Sequence, residues 1–259
     1  MQVLGVDIGS TTAKAILMDE SARILSTAIL RTGVRLDQAI ETVRGRCCAE
    51  AGIRPDAIDY CISTGYGRMR VPYRDGQVTE ITCHARGLHV LLPEARTIID
   101  IGGQDSKVIS LDEDGGVESF VMNDQCAAGT GRFLEVMSRI MDIPLDEIGA
   151  LSLKAKKPAT ISSVCTVFAE SEVISAAAAG VEPEDLMAGV HQSIARRVSG
   201  LVGRDKRKPF AMTGGLAQNQ GLVKALEEIL ETDILIPKLP QFAGALGAAH
   251  IALERAGKS

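Results

Sequence analysis

The first 30 residues contain stretches in which apolar and polar positions alternate, and this pattern predicts a β meander. Residues 2–8 form an apolar strand that ends near Asp7, and a short polar turn leads into further strands. Apolar residues at helical spacing then predict helices, the first of which closes at a glycine. The elements predicted in this first part are strands at 2–8, 15–19, 22–30 and 58–67 and helices at 36–52 and 79–93.

The opening pattern restarts at residue 97. Segment 97–115 resembles segment 3–21, because each has an apolar strand, Asp-Ile-Gly, a polar turn and a lysine seven residues after the aspartate. Such an internal repeat indicates two related domains. We place the first domain at residues 1–95 plus 240–259 and the second at 96–239.

The second half is dominated by helical periodicity. A strand, a glycine turn and a helix follow one another over residues 210–230, and the closing helix is rich in small residues that allow close packing on another element. The helices predicted around this segment lie at 131–141, 166–180, 184–204 and 242–257.

Composition excludes several classes of function. With 46% apolar and 24% charged residues the chain should fold, yet no apolar run approaches the roughly 20 residues of a membrane span. The N-terminus lacks an export signal, so we expect a cytoplasmic protein. A net charge of −5 and an aromatic content of 3% argue against a nucleic-acid partner. The densest basic cluster, residues 203–209, is interpreted as a solvated loop.

Two Asp-x-Gly turns, each following a strand, suit the phosphate chain of a nucleotide. Their backbone N–H groups and hydroxyls can donate to phosphate, and Asp7 and Asp100 could hold a hydrated Mg²⁺. A third glycine turn at 213–219 could receive the base and ribose. The candidate nucleotide-binding residues are Asp7, Gly9, Ser10, Thr11, Thr12, Lys14, Asp100, Gly102, Gly103, Gln104, Gly129, Gly214, Gly215, Ala217, Gln218 and Asn219.

Several of these roles have alternatives. Gln104 or Asp105 could orient the water that attacks the γ-phosphate, or both could cap the turn. Lys14 and Lys107 could neutralise phosphate or lie along the emerging strands, and the second role is favoured for Lys107. The chain has no G-x-x-x-x-G-K-[ST] motif, which excludes a P-loop protein.

The three turns, "DIGSTTAK", "DIGGQDSK" and "TGGLAQN", resemble those of the sugar kinase–actin–Hsp70 superfamily over nearly the whole chain. The resemblance implies an α/β fold. Two related actin/hexokinase-like (ribonuclease H-like) domains, each with a mixed five-stranded sheet, would surround an ATP cleft. The connecting helices would begin near residues 129–132 and 244–247.

The six cysteines contain no C-x-x-C pair, which speaks against a zinc site or a disulfide framework. Cys61 and Cys83 are expected to pack as small buried groups. Cys126 and Cys165 each precede a helix pattern, where a helix N-terminus favours the thiolate. They could be unconnected buried cysteines, redox-active thiols, or ligands of a cluster whose four thiolates come from two chains around a two-fold axis.

The segments "NDQCAAGTGRFLE" and "SSVCTVFAESEVIS" resemble the ATP-dependent activators of 2-hydroxyacyl-CoA dehydratases. That family includes the ATPase subunits of benzoyl-CoA reductases and the reductases of double-cubane-cluster proteins. The resemblance implies a homodimer with one 4Fe-4S cluster held by Cys126 and Cys165 of both subunits, and ATP or ADP with Mg²⁺ in each subunit. It also implies reduction by ferredoxin or flavodoxin and electron delivery to an iron–sulfur dehydratase or reductase.

Two other classes of function remain open at this point. A small-molecule kinase of the same fold would need an acceptor pocket, for which 259 residues leave little room. A non-enzymatic ATP-dependent regulator would leave Cys126 and Cys165 as structural residues. If the activator interpretation holds, ATP binding and hydrolysis would move the cysteine-bearing helices through a change in domain angle.

Overall fold

The structure is a computed structural model that describes residues 1–124, 126–162, 165–203 and 207–258. Gln125 and residues 163–164, which belong to the two cysteine segments, lie outside the described residues, as do residues 204–206 of the basic cluster. The chain divides into two units. The first comprises Met1–Ala95, Leu111–Ser119 and Pro237–Ser259, and the second comprises Arg96–Ser110 and Phe120–Ile236.

The first sheet has five strands in the order β3-β2-β1-β4-β5. β1 pairs antiparallel with β2 and parallel with β4, so the sheet is mixed. Its strands and the helices that accompany them are β1 (Gln2–Ile8), β2 (Thr12–Asp19), β3 (Ile24–Arg31), β4 (Tyr60–Thr64), β5 (Gly76–Gln77), α1 (Leu36–Glu50) and α2 (Glu80–Leu91), with α8 (Ala243–Ala256) at the end of the chain.

The second sheet repeats this plan with the order β10-β9-β6-β7-β8. β6 pairs antiparallel with β7 and parallel with β9, as β1 does with β2 and β4. The elements are β6 (Thr97–Ile101), β7 (Ser106–Leu111), β8 (Val117–Asn123), β9 (Phe210–Thr213), β10 (Ile234–Leu235), α3 (Gly131–Met141), α4 (Ile148–Ser152), α5 (Thr166–Ala178), α6 (Pro183–Val202) and α7 (Gln220–Leu230). The predicted repeat and the two mixed five-stranded sheets are confirmed. The strands β5, β8 and β10 and the helix α4 were not predicted from the sequence.

Close backbone contact fixes α8 against the first sheet and against α2. A Cβ atom added at Gly247 would overlap the carbonyl oxygen of Cys83 on α2, and one added at Gly87 would overlap that of Ala243. The small-residue pattern of α8 therefore packs as the sequence predicted. Cys83 and Cys61 are buried in this unit, and burial raises the pKa of each thiol to about 12.

A buried polar network stabilises the start of α7 in the second unit. The Asn219 amide donates to His191 Nε2 (3.1 Å), so the ring proton lies on Nδ1, which donates to Ser152 Oγ (2.9 Å). Ser152 Oγ in turn donates to the carbonyl oxygen of Gly149 (2.9 Å). Because burial penalises the charged ring, the pKa of His191 falls to about 4.

Replacement of Gly247 by alanine should destabilise the protein by about 2 kcal/mol, because the added methyl group forces α8 away from α2. Gly45→Ala on α1 is the matched control, since a Cβ there meets nothing within 4 Å. The control should stabilise the fold by about 0.5–1 kcal/mol, because it restricts the unfolded chain. Urea denaturation followed by circular dichroism measures both. Equal effects of the two substitutions would contradict the packing described.

The His191 network predicts loss of stability in acid. Between the unfolded pKa of 6.5 and the folded pKa of about 4, the unfolded chain binds more protons, so the free energy of unfolding falls as pH falls. His191 should contribute a loss of about 3 kcal/mol across this window. His191→Gln can keep both hydrogen bonds and does not titrate. Urea denaturation at stepped pH should show a shallower dependence for the variant, and identical slopes would refute this prediction.

Candidate functional site

The first predicted phosphate turn, residues 7–14, joins β1 to β2, and the second comprises residues 100–107. Asp7 and Lys14 are register partners across this hairpin, and Lys14 Nζ lies 3.2 Å from Asp7 Oδ2. The Gly9 N–H donates to the carbonyl oxygen of Thr12 (3.0 Å), which closes the turn. The side chain of Thr32 donates to the Gly9 carbonyl oxygen (2.8 Å) and holds the turn from outside. Ser10 and Thr11, at the tip of the turn, remain partly exposed for a ligand.

The end of β4 adds residues to this turn that the sequence analysis did not assign to it. Gly65 has φ +83°, and a Cβ there would overlap the Asp7 carboxylate. A Cβ added at Gly244 would lie 3.1 Å from Asp7 Oδ2 and 3.0 Å from His84 Nε2. A prediction that β4 pairs in parallel with β1 would have placed Gly65 beside Asp7. His84 carries no such signal, because its position on α2 follows only from the fold.

The second phosphate turn joins β6 to β7 and repeats the ion pair of the first. Asp100 and Lys107 are register partners, with Lys107 Nζ 3.4 Å from Asp100 Oδ2. Lys107 Nζ also lies 2.8 Å from Asp105 Oδ2, and Thr213 Oγ1 donates to Asp100 Oδ1 (2.8 Å). Lys107 is only 2% exposed. Asp105 therefore belongs to a buried ion-pair network, whereas Gln104 next to it is exposed.

The predicted adenosine turn follows β9. Gly214 has φ +86°, and a Cβ there would overlap the carbonyl oxygen of Ile101 on β6, so this position requires glycine. Ala217 packs into the core, whereas Gly215 and Gln218 are exposed. The Asn219 side chain accepts from the Leu222 N–H (3.0 Å) and donates to His191, so both ends of its amide serve α7 and the core.

The second phosphate turn is bonded to the start of α3. The N–H groups of Gly131 and Arg132 donate to the carbonyl oxygens of Gly102 (2.9 Å) and Gly103 (2.8 Å). A Cβ added at Gly131 would also lie 3.0 Å from Leu216 of the adenosine turn. Two of the predicted nucleotide turns and the N-terminus of α3 thus meet within the second unit.

Cys126 and Cys165 differ from the other four cysteines, which are buried. Cys165 is exposed and directly precedes the first residue of α5, as predicted. Cys126 is half-buried and begins a short 3₁₀ turn over Ala127–Gly129. Cys126 precedes α3, which begins at Gly131, but the 3₁₀ turn and Thr130 lie between them, so Cys126 is not at the N-terminus of α3 itself. Among the described residues, no group of three or more histidine, cysteine, aspartate or glutamate side chains is placed to hold a metal ion.

The loop before Cys165 is held from two sides. The Glu172 carboxylate on α5 accepts from the Ser162 N–H (2.8 Å) and from Ser162 Oγ (2.7 Å). Arg196 Nη2 on α6 donates to the carbonyl oxygen of Ile161 (3.2 Å). Glu172 thus ties α5 to Ser162 through two hydrogen bonds.

Exposed apolar side chains lie close to both cysteines in sequence. β8 leads to Cys126 and exposes Phe120 and Val121 to 53% and 50%. α5 follows Cys165 and exposes Val167 and Phe168 to 66% and 67%. Large exposed apolar side chains near a candidate site indicate a surface that another molecule covers.

Solved structures share this fold. The activator of 2-hydroxyisocaproyl-CoA dehydratase from Clostridium difficile with bound ADPNP has a TM-score of 0.94 and 42% identity, covering 100% of this chain and 96% of that one. A ROK family glucokinase from Streptomyces griseus, in complex with glucose and AMPPNP, has a TM-score of 0.59 and 16% identity, covering 98% and 100% of the two chains. At this low sequence identity, the similarity to the glucokinase shows a shared fold only.

Sequence comparison gives the family. The activator of lactoyl-CoA dehydratase from Anaerotignum propionicum is 46% identical over 100% of both chains. No helix in the described part of the chain is long and apolar enough to cross a membrane. The profile of the BadF/BadG/BcrA/BcrD ATPase family matches residues 4–252, and the resemblance to dehydratase activators is confirmed. The chain belongs to the BadF/BadG/BcrA/BcrD ATPase family.

Proposed function

We propose that the protein is an ATP-dependent reductive activator. It works as a homodimer with one bridging 4Fe-4S cluster, held by Cys126 and Cys165 of both subunits, and passes single low-potential electrons to a partner iron–sulfur enzyme. A 2-hydroxyacyl-CoA dehydratase is the proposed partner, and ferredoxin or flavodoxin the proposed donor. The observation that carries the proposal is the bonding of α3, which follows the Cys126 turn, to the second phosphate turn.

The cysteines fit a cluster shared between two copies of the chain. Burial raises the pKa of the Cys47, Cys61 and Cys83 thiols to between about 11 and about 12, which keeps them protonated and poor ligands. Cys126 and Cys165 reach solvent. Because two thiolates fill half of a four-thiolate site, a second copy must supply the rest. The exposed apolar residues near each cysteine support a surface that this second copy covers.

The phosphate turns fit ATP with Mg²⁺. Asp7 and Asp100 occupy equivalent positions at the ends of β1 and β6, where each could contact a hydrated Mg²⁺. Lys14 and Lys107 hold these carboxylates in place from the neighbouring strands. We assign orientation of the attacking water to Gln104, because the Asp105 carboxylate is engaged by Lys107.

The free energy for electron transfer must come from different affinities of two conformations for ATP and ADP. When bound, the cluster supplies a one-electron redox centre whose potential depends on solvent exposure and on hydrogen bonds to sulfur. The chain's own contribution is mechanical. Displacement of Gly102 and Gly103 by the γ-phosphate would shift the start of α3 and the turn after Cys126 through the bonds described above.

Removal of either cluster cysteine should abolish iron binding. Anaerobically purified protein should be a brown dimer with about four iron and four sulfide per dimer and an EPR signal on reduction. Cys126→Ser and Cys165→Ser should each lose most of the iron. Cys61→Ala is the matched control and should keep it, because Cys61 is a buried apolar group. Iron retained at the control level in both serine variants would refute the cluster.

Replacement of Gln104 by alanine should lower kcat for ATP hydrolysis by about 100-fold and change ATP affinity little, because the side chain acts on the water. Gln218→Ala on the exposed adenosine turn is the control, and it should weaken ATP binding while kcat stays near the wild-type value. Steady-state phosphate release measures both. Unchanged kcat in Gln104→Ala would overturn the assignment of the attacking water to this residue.

A further inference from the structure

Gly129, the last residue of the 3₁₀ turn that follows Cys126, has two polar side chains beside it. A Cβ added at Gly129 would lie 3.5 Å from Arg197 Cδ on α6 and 3.6 Å from Ser106 Oγ. Ser106 is the first residue of β7 and pairs with Ile101 directly behind the second phosphate turn. The turn after Cys126 is therefore in contact with the phosphate turn on one side and with α6 on the other.

Both polar neighbours of Gly129 are incompletely satisfied. Ser106 is 1% exposed, and its Oγ has no hydrogen-bond partner in the part of the chain that the structure describes. The buried Nε of Arg197 likewise has no hydrogen-bond partner among the described residues. Buried donors are nearly always paired in native proteins. Both donors therefore have hydrogen-bonding capacity that a second conformation of the turn at Gly129 could use.

Helix α6 also contacts Ile161, which precedes Cys165 in the chain. Arg196 donates to the carbonyl oxygen of Ile161 in the loop before Cys165, and its neighbour Arg197 packs at Gly129. Farther along the same helix, His191 bonds Asn219 at the start of α7. One helix thus contacts Gly129 after Cys126, Ile161 before Cys165, and Asn219 at the end of the adenosine turn.

We propose that Arg197 and Ser106 are positioning residues through which the nucleotide at the second phosphate turn sets the conformation of the loop bearing Cys126. This inference rests on the proposed function and assigns its regulation to named residues. Movement of the phosphate turn displaces Ser106, which contacts Gly129. The turn at Gly129 then moves with Ser106, because the side chain of Arg197 on α6 blocks movement in other directions. Arg196 keeps the loop before Cys165 fixed to the same helix, so the two cysteines change position relative to one another.

The test measures alkylation of Cys126 in iron-free protein, by mass spectrometry, with MgATP or with MgADP. The two nucleotides should give Cys126 rates that differ by about fivefold in wild-type protein. In Arg197→Met the rates should become equal within about twofold, while the Kd for ATP and the Tm stay near wild type. Arg197→Lys, which keeps the charge and the stem, should restore part of the difference.

Arg139→Met is the matched control, because it makes the same arginine-to-methionine exchange at an exposed position on α3 of the same unit. It should keep the full nucleotide dependence. Ser106→Ala is a second variant, which should reduce the dependence as Arg197→Met does even if the arginine variant fails to fold. Equal rates with ATP and ADP in wild type, or a full difference in Ser106→Ala and in folded Arg197→Met, would overturn the proposal.

Iron content separates this inference from the proposed function. Wild-type protein that binds no iron but shows nucleotide-dependent alkylation would refute the cluster and keep the role of Arg197. Wild-type protein that binds the cluster but shows no nucleotide dependence at Cys126 would refute the role of Arg197 and keep the cluster.

Discussion

Two backbone hydrogen bonds join the start of α3 to the second phosphate turn, from the N–H groups of Gly131 and Arg132 to the carbonyl oxygens of Gly102 and Gly103. A helix begins with N–H groups that have no partner inside the helix. In α3 two of these donors are satisfied by the second phosphate turn. Movement of that turn would therefore move the start of α3, and this constraint would link the proposed nucleotide site to the turn that follows Cys126.

The repeated aspartate–lysine pairs give the phosphate turns their stiffness. In each unit the antiparallel register sets the aspartate opposite the lysine, and the pair lies largely out of solvent. Removing one partner of such a pair would leave an uncompensated buried charge. Thr213 and Asp105 add to the second pair alone. The second turn is also the one bonded to α3.

Much of the fold followed from sequence because local periodicity and the repeat agreed with each other. The Asp-Ile-Gly turns, the amphipathic helices and the small residues of α8 all carry local signals. β8 was missed because its residues are exposed, so no alternation marks it. The 3₁₀ turn after Cys126 and the contacts of His84 and Arg197 arise from tertiary packing. Spacing along the chain carries no information about such contacts.

Hydrogen exchange at the amides of Gly131 and Arg132 tests the central claim most directly, because these are the groups bonded to the phosphate turn. The account predicts that protection at these amides, and in the adjoining turn at 127–130, differs between protein with MgADP and protein with a non-hydrolysable MgATP analogue. Amides of α1, which carries none of the candidate nucleotide or cluster residues, should exchange equally in both states. Identical protection at Gly131 and Arg132 with both nucleotides would contradict the claim that the phosphate turn and the cysteine loop move together.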